Sequence, residues 1–331
     1  MKILDFGILV VDIIAAGLSS IAEPGKVIFT PRGIKTRIGG HAANFSIDEV
    51  KIGLNGKDIL VIGAIGYDIF GKFIEETLKR YGVLTDLERI KEADTSKNII
   101  LVVKGEDRRF HVDIGANIYL SVNHIIETIE TRKPQIIYVG ATGWLGKVDD
   151  NLDTILSKAE DSTITFVDPI APYGKDWKHI LPALKYTDIF HCNNIEASMI
   201  TDCTSIEKSG EELLKNGVKM VLITMGEKGL YARTSSWSIR MNAFKVDTVD
   251  PTGAGDAFSA GVIYKLIEKN IKSVEEISVN KALDILVFAS AAGASATLKE
   301  GTTEGVVRET IDSIIKKLGK EIMEQAVIEE F

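Results

Sequence analysis

The chain has 331 residues, of which 45% are hydrophobic and 26% are charged, and its formal net charge is −8. This composition indicates a globular protein with a large core, and the acidic balance with dispersed Lys and Arg argues against nucleic acid as a main partner. No uncharged apolar run reaches the ~18 residues of a membrane span, and the two cysteines, Cys192 and Cys203, indicate reduced thiols of a cytoplasmic protein.

The amino-terminal segment begins with a continuous apolar run. Residues 2–11 predict a strand covered on both faces of a sheet, and Asp12 is predicted to end it. Residues 13–38 follow with turns at Pro and Gly and short β-like pieces such as residues 26–30. This segment is too irregular for a main sheet and too apolar for disorder.

A second irregular patch predicts a β-hairpin. Its strands are residues 98–103 and 108–114, and the turn between them is residues 104–107. Together with the earlier irregular segment, this hairpin predicts a small β subdomain. We expect it to be inserted in a larger domain, over about residues 13–38 and 97–116.

The rest of the chain alternates between strand-like and helix-like patterns. Helices are predicted at residues 42–52, 70–81, 253–269, 278–297 and 304–318, and strands at residues 59–65, 135–140, 163–168, 188–192 and 218–225. This alternation predicts one α/β domain over residues 1–331, with a mostly parallel sheet flanked by helices on both faces. Ligands of such sheets bind outside the carboxyl ends of the strands. Residues 320–331 predict a peripheral terminal helix.

One glycine-rich stretch after a β-like run predicts a phosphate cradle. Gly253, Ala254 and Gly255 carry almost no side chain, so an anion can approach their backbone N–H groups at the start of a helix. Asp256 on the first turn would supply the proton acceptor that a substrate hydroxyl needs in phosphoryl transfer. The alternative is an ordinary turn in which Asp256 is a favourable first-turn charge.

This stretch carries a family resemblance. The sequence Asp-Pro-Thr-Gly-Ala-Gly-Asp-Ala-Phe from Asp250 resembles the second signature of the ribokinase-like carbohydrate kinases, the PfkB family, and residues 39–46 resemble its first signature. The resemblance extends to about residue 318. It implies a ribokinase-like fold with a small β lid, and a kinase that transfers the γ-phosphoryl group of ATP, with Mg²⁺, to a primary hydroxyl of a small sugar.

The first signature implies the sugar site. In the family, the turn that here contains Gly39, Gly40 and Asn44 holds the sugar hydroxyls together with the Asp after the first strand, here Asp12. On spacing alone, the turn could equally cap a helix. His41 stands where many ribokinases proper have Lys, a departure that weakens any claim for ribose.

Two further motifs resemble the nucleotide site of the family. Asn193 and Glu196 resemble its Asn-x-x-Glu motif, which implies Mg²⁺ binding through water, although a helix cap has the same spacing. Thr224, Gly226 and Gly229 resemble its nucleotide loop. These glycines could also begin a hairpin predicted over residues 230–240, and the two interpretations are compatible.

The resemblance also implies a monovalent cation site. In some members, the residues that correspond to Asp250 and Thr252 bind a monovalent cation such as K⁺, together with a loop that corresponds to residues 299–305. This chain has Gly305 where a Ser is frequent, which argues against potassium activation. By contrast, residues 66–72 match Gly-x-x-x-x-Gly-Lys, but Phe73 replaces the Ser or Thr of a P-loop, so we reject that motif.

Several alternatives stay open. A nucleoside kinase of the same family would be favoured by lid aromatics that stack a base, for which Phe29 and Phe110 are the candidates. A phosphosugar kinase or a non-catalytic binding protein is less well supported, because no compact Lys/Arg set is visible and Asp256 is intact. The lid residues Arg108, Arg109, Phe110 and His111 are not assigned a role. Exposed lid strand edges favour a homodimer.

Overall fold

The computed structural model describes residues 1–106 and 108–331. Residue 107, in the predicted hairpin turn, lies outside the described residues. The strands are β1 Ile3–Gly7, β2 Val10–Leu18, β3 Ile34–Gly39, β4 Ile59–Gly66, β5 Leu84–Ile90, β6 Lys97–Val103, β7 Arg109–Asp113, β8 Ile136–Thr142, β9 Ile164–Pro169, β10 Ile189–Asn193, β11 Met220–Thr224, β12 Leu230–Arg233, β13 Trp237–Met241 and β14 Val327–Glu330. The helices are α1 His41–Ile52, α2 Ile69–Arg80, α3 Val122–Arg132, α4 Lys147–Asp150, α5 Leu152–Leu156, α6 Leu181–Leu184, α7 Asn194–Thr201, α8 Ile206–Lys215, α9 Ala254–Glu268, α10 Val279–Ala296 and α11 Arg308–Glu324.

Most strands of the described residues join one large sheet. Its order is β14-β13-β12-β11-β10-β9-β8-β1-β4-β5. The seven strands from β11 to β5 pair in parallel, whereas β12, β13 and β14 add an antiparallel edge. The predicted mostly parallel sheet is therefore confirmed, and its parallel strands place their carboxyl ends along one edge of the molecule.

The remaining four strands form a second sheet, which we call the small sheet, in the order β3-β2-β6-β7. β2 pairs with β3 antiparallel and with β6 in parallel, and β6 and β7 form the predicted hairpin. The small sheet confirms the predicted lid element, although its strands already begin at Val10 rather than at residue 13. The division of residues 1–331 into one domain with two inserted segments stays a prediction.

Two predictions for the first forty residues are wrong. Residues 2–11 do not form one strand, because β1 ends at Gly7 and the chain crosses at buried Ile8 and Leu9 into the small sheet. Asp12 therefore lies inside β2 and does not follow the first strand. Residues 26–30 contain no strand and lie in the long connection between β2 and β3. An apolar run predicts that its residues are buried, but it does not predict to which of two sheets each residue belongs.

Two apolar clusters cover the two faces of the large sheet. On one face, α1, α9, α10 and α11 pack over strand residues, and Phe45 of α1 stacks on Tyr138 of β8 with ring centroids 3.9 Å apart. α9 and α10 approach closely because Gly261 lacks a Cβ, which would lie 2.6 Å from the Cα of Ala289. The small-residue helix predicted over residues 278–297 is thus confirmed as a close-packed helix.

The carboxyl-terminal segment differs from the prediction. α11 continues to Glu324, and the residues beyond it form β14, which pairs antiparallel with β13 at the edge of the large sheet. The predicted terminal helix over residues 320–331 is therefore wrong in its second half. A free strand edge offers unpaired backbone groups, and pairing with β14 satisfies them. Within residues 1–106 and 108–331, the helices are all too short or too polar to cross a membrane.

The rejected P-loop is an ordinary capped helix start. Asp68 is the N-cap of α2, and its Oδ1 accepts hydrogen bonds from the backbone N–H groups of Phe70 and Gly71 at 2.9 and 2.8 Å. Its Oδ2 accepts a third from the N–H of Thr95 at 2.7 Å. Burial acts to raise the pKa of Asp68, but the hydrogen bonds to its carboxylate together outweigh that effect, so the pKa is lowered.

Candidate active site

The predicted phosphate cradle lies at the amino terminus of α9. Gly253 is the N-cap, with φ 79°, and an added Cβ would lie 2.0 Å from the carbonyl oxygen of Thr302. Only glycine fits there. The N–H of Ala254 donates to the carbonyl of Pro251 at 3.3 Å, and the N–H of Ala257 donates to the carbonyl of Gly253 at 2.9 Å. The amides of Gly255 and Asp256 lie between them, before the first of these helical i to i−4 bonds. The residues from 242 to 253 contain no strand, so the β-like run predicted before the cradle is wrong.

Asp256 lies on the first turn of α9 and meets the first signature. It is 6% exposed, and its Oδ2 accepts a hydrogen bond from Nδ2 of Asn44 at 2.8 Å. Its Oδ1 lies 3.7 Å from Nε2 of His41. Burial raises the pKa of Asp256, and the nearby charge of His41 opposes that rise. The carboxylate is therefore buried among polar groups of the predicted substrate turn and not in an apolar packing contact.

The predicted substrate turn, residues 39–44, joins β3 to α1 over the β1–β2 crossing. Gly39 ends β3 and Gly40 precedes α1 with φ 88°, and an added Cβ on Gly40 would lie 2.4 Å from the carbonyl oxygen of Ile8. No side chain caps α1 at this turn. Asn44 points across the site to Asp256, so the predicted capping alternative is not what the described side chains show.

The small sheet contributes Asp12 to the same region. It is 5% exposed, and its Oδ1 accepts a hydrogen bond from Nδ2 of Asn98 at 3.2 Å. Burial raises the pKa of Asp12 to about 7. The bond from Asn98 opposes that rise, whereas the carboxylates of Asp256, Asp250 and Glu304 add to it. An added Cβ on Gly39 would lie 2.4 Å from Oδ2 of Asp12, so this carboxylate lies against the predicted substrate turn. The sequence analysis missed Asn98, because one Asn in an apolar strand carries no pattern.

A second buried group was also missed. Asp168, at the carboxyl end of β9, accepts hydrogen bonds at its Oδ2 from Ser259 of α9 at 2.9 Å and from Tyr138 at 3.3 Å, and contacts Nδ1 of His191 at 3.1 Å. Nε2 of His191 lies 3.2 Å from Oγ1 of Thr224. This network ties α9 to the predicted nucleotide loop.

Asp168 and His191 each favour the charged form of the other. Burial acts to raise the pKa of Asp168, but the charge and hydrogen bond of His191 outweigh it, so the pKa is lowered. Burial acts to lower the pKa of His191, but the charge and hydrogen bond of Asp168 outweigh it, so the pKa is raised. Both side chains are more than nine-tenths buried, and they form an ion pair below the cradle.

Asn193 and Glu196 form the capping box that was the alternative to a metal role. Oδ1 of Asn193 accepts from the N–H groups of Ile195 and Glu196 at 2.9 Å, and Oε2 of Glu196 accepts from the N–H of Asn193 at 2.8 Å. Burial raises the pKa of Glu196, and its bond from the N–H of Asn193 opposes the rise. Within residues 1–106 and 108–331, His, Cys, Asp and Glu side chains do not gather in threes suited to a metal ion.

The predicted nucleotide loop connects two strands of the large sheet. Thr224 ends β11, a short 3-10 turn covers Gly226–Lys228, and Gly229 precedes β12. β12 and β13 form the predicted hairpin. Both interpretations of this segment are therefore compatible with the structure, since the turn opens a hairpin and also lies at the carboxyl end of a strand beside His191.

Asp250 joins three segments at the rim of the site. Its Oδ1 accepts from the N–H of Thr252 at 3.0 Å and from Nη1 of Arg108 at 3.1 Å, and its Oδ2 accepts from the N–H of Gly301 at 3.1 Å. Arg108 also contacts the hydroxyl of Thr252. The structure thus brings together the predicted cation-site residues, and it adds the guanidinium of Arg108, just before β7, which the sequence analysis left unassigned.

The chain is similar to known proteins along most of its length. The model of the pfkB family of carbohydrate kinases matches residues 2–309. A ribokinase of Staphylococcus aureus is 27% identical over 290 residues, which cover 84% of this chain and 91% of that protein. The solved structure of ribokinase from Giardia lamblia matches with a TM-score of 0.80 at 21% identity, covering 96% of this chain and 99% of that one. A nucleoside kinase structure from Methanocaldococcus jannaschii matches with a TM-score of 0.72 at 19% identity, with the same coverage.

Proposed function

Because the chain belongs to the pfkB family of carbohydrate kinases, we propose that it transfers the γ-phosphoryl group of ATP to a primary hydroxyl of a small sugar. The observation that carries the proposal is the meeting of the two signatures, in which Asn44 holds the carboxylate of Asp256 at the mouth of α9. A proton acceptor and a set of backbone N–H donors at one point are what phosphoryl transfer needs.

In this mechanism the acceptor lies between the substrate turn and the cradle. Asp12, Gly39, Gly40 and Asn44 hold its hydroxyls, and Asp256 takes the proton of the reacting hydroxyl. That oxygen attacks the γ-phosphorus in line, and the bond between the γ-phosphorus and the bridging oxygen breaks, so that ADP leaves. The backbone amides at residues 253–256 stabilise the charge that develops on the transferred group.

The nucleotide would lie along the carboxyl ends of β10 and β11. We assign it to Asn193, Thr224, Gly226 and Gly229, with Thr252 beside the phosphates. Mg²⁺ commonly keeps several waters and binds through one or two carboxylates and the substrate phosphates, and the single carboxylate of Glu196 fits that mode. When bound, Mg²⁺ would neutralise charge on the phosphates.

Three finer assignments belong to the same proposal. A monovalent cation such as K⁺ would bind at Asp250, a carboxylate that also pairs with Arg108. We further propose a homodimer formed through the edges of the small sheet, because exposed strand edges pair readily. A cytoplasmic location is proposed from the two free cysteines.

The decisive experiment is the variant Asp256→Asn. Asn retains an oxygen that accepts the hydrogen bond from Asn44 but cannot take a proton, so turnover should fall by about 10²–10⁴ while ATP still binds. Turnover is measured as acceptor-dependent ADP formation across a panel of sugars and nucleosides. Asp312→Asn, which removes an exposed carboxylate on α11 paired with Arg308, is the matched control and should retain activity. Near-normal turnover of Asp256→Asn would refute the assignment.

A nucleoside acceptor is the second candidate. Phe110 is 51% exposed and pairs across the β6–β7 ladder with Ile100, which places it on the face of the small sheet that carries Asn98. An aromatic ring in that position could stack on a base. The chain is also similar in fold to the nucleoside kinase named above. Adenosine and free ribose in the same panel separate the two candidates.

A further inference from the structure

Two buried amide side chains beside the substrate turn have carbonyl oxygens without a hydrogen-bond partner among the described residues. They belong to Asn44, which is 4% exposed, and Asn98, which is 9% exposed. Each amide nitrogen donates to a carboxylate, Asn44 to Asp256 at 2.8 Å and Asn98 to Asp12 at 3.2 Å. The carboxylate oxygen is the acceptor in both contacts, and the amide nitrogen is the donor end of an Asn side chain, so the nitrogen faces the carboxylate. The two carboxylates therefore determine the orientation of both carbonyls.

An unpaired carbonyl in such a place requires an explanation. Leaving a buried acceptor unsatisfied costs about 1–3 kcal/mol. Asn98 lies next to Asp12 in the β2–β6 register, so its carbonyl and the Asp12 carboxylate present acceptors from adjacent strands. A ligand that satisfies them must donate hydrogen bonds, and hydroxyl groups do so.

The surroundings of Asn98 suit the carbon skeleton of such a ligand. Side chains two residues apart lie on the same face of a strand, so Ile14 and Ile100 flank Asp12 and Asn98 on the small sheet. They belong to one apolar cluster with Ala16. Polar acceptors beside an apolar wall match the hydroxyl and C–H surfaces of a polyol.

The two cations on the neighbouring strand β3 do not favour a phosphorylated acceptor. Lys35 and Arg37 lie on β3, across the ladder from the residues just described. Each is already ion-paired with a carboxylate of the loop at residues 299–305, Lys35 with Glu300 and Arg37 with Glu304, both at 3.0 Å. Binding a second phosphate would require breaking those pairs.

We propose that Asn98 is a substrate-positioning residue that accepts a hydrogen bond from a hydroxyl of a neutral polyol, next to the hydroxyls held by Asp12 and Asn44. This inference rests on the proposed kinase function and narrows its substrate class to neutral sugars and ribosides. Asn98 acts on binding and not on proton transfer.

The test compares Asn98→Leu with the wild-type protein. D-ribose, D-fructose and adenosine serve as acceptors, and ADP formation is measured at pH 8. Losing one hydrogen bond should raise KM for the acceptor about five- to tenfold and leave KM for ATP unchanged. Ile99→Ala, on the opposite face of the same strand and 47% exposed, is the matched control and should change neither constant.

Monodeoxy analogues of the best acceptor separate a direct contact from a structural role. In the wild type, one analogue should have a KM higher than that of its parent by the same factor. In Asn98→Leu, that analogue and its parent should have equal KM values. Should Asn98→Leu not fold, Asn98→Ala serves in its place. An active wild type with unchanged acceptor KM in the variant would overturn the Asn98 inference alone. A wild type that forms no ADP with any acceptor would overturn the proposed function and this inference with it.

Discussion

We expect His41 to influence the pH range over which Asp256 could act as the proposed base. Its Nε2 lies 3.7 Å from Oδ1 of Asp256, and protonated His41 favours the ionised carboxylate. Burial raises the pKa of Asp256, and its near neighbours Asp168 and His191 act in opposite directions on it. Replacing His41 with Gln removes the charge that most strongly opposes burial. The pKa of Asp256 should therefore rise further, and activity should be lost at pH values where the wild type still works.

The distance sets the size of the effect. Two unit charges 3.7 Å apart interact by about 1 kcal/mol in water and about 4.5 kcal/mol at an effective dielectric constant of 20. One pKa unit corresponds to about 1.4 kcal/mol. His41 is about a quarter exposed, with 24% of its side chain accessible. We therefore expect the acidic limb of the rate profile to move to higher pH by between about one and three units.

The assay is kcat/KM for the acceptor from pH 5 to 9, because that ratio reports the ionisations of the free enzyme. His41→Lys, which retains a positive charge, is the matched control and should keep the acidic limb near the wild-type position. A His41→Gln profile that superimposes on the wild-type profile would show that His41 does not tune Asp256. A shift of the same size in both variants would assign the effect to shape and not to charge.

Two other variants test Asp168, which the sequence analysis missed, and Arg108, which it left unassigned. Asp168→Asn leaves His191 buried without its carboxylate and should lower the free energy of unfolding in urea by about 3–5 kcal/mol; a loss below about 1 kcal/mol would contradict the buried ion pair. Arg108→Ala removes the contact of the β6–β7 connection with Asp250 and should raise the acceptor KM about two- to fivefold. Arg109→Ala, at a side chain that is 43% exposed, should leave the acceptor KM unchanged. Equal effects of the two variants would argue against a role of the Arg108–Asp250 ion pair.

Local patterns in the sequence were sufficient to predict most of the strands and helices. Apolar runs bounded by turns located the central strands, as at β9 and β11, and helical spacing located α1 and α9 within one or two residues. These features depend on neighbours a few residues apart, and so they are visible along the chain. The same signals misplaced Asp12, because an apolar run has the same appearance whether it stays in one sheet or crosses to another.

The sequence by itself determined the alternation of strands and helices, the family resemblance and the positions of Asp256 and Asn44 in their signatures. Only the tertiary structure decided that Asn98 lies beside Asp12, that Asp168 pairs with His191, and that Arg108 reaches Asp250. Each of these contacts joins residues far apart in the chain. Such contacts form only when the two sheets pack together. A single polar residue in an apolar strand produces no periodic pattern from which its partner could be predicted.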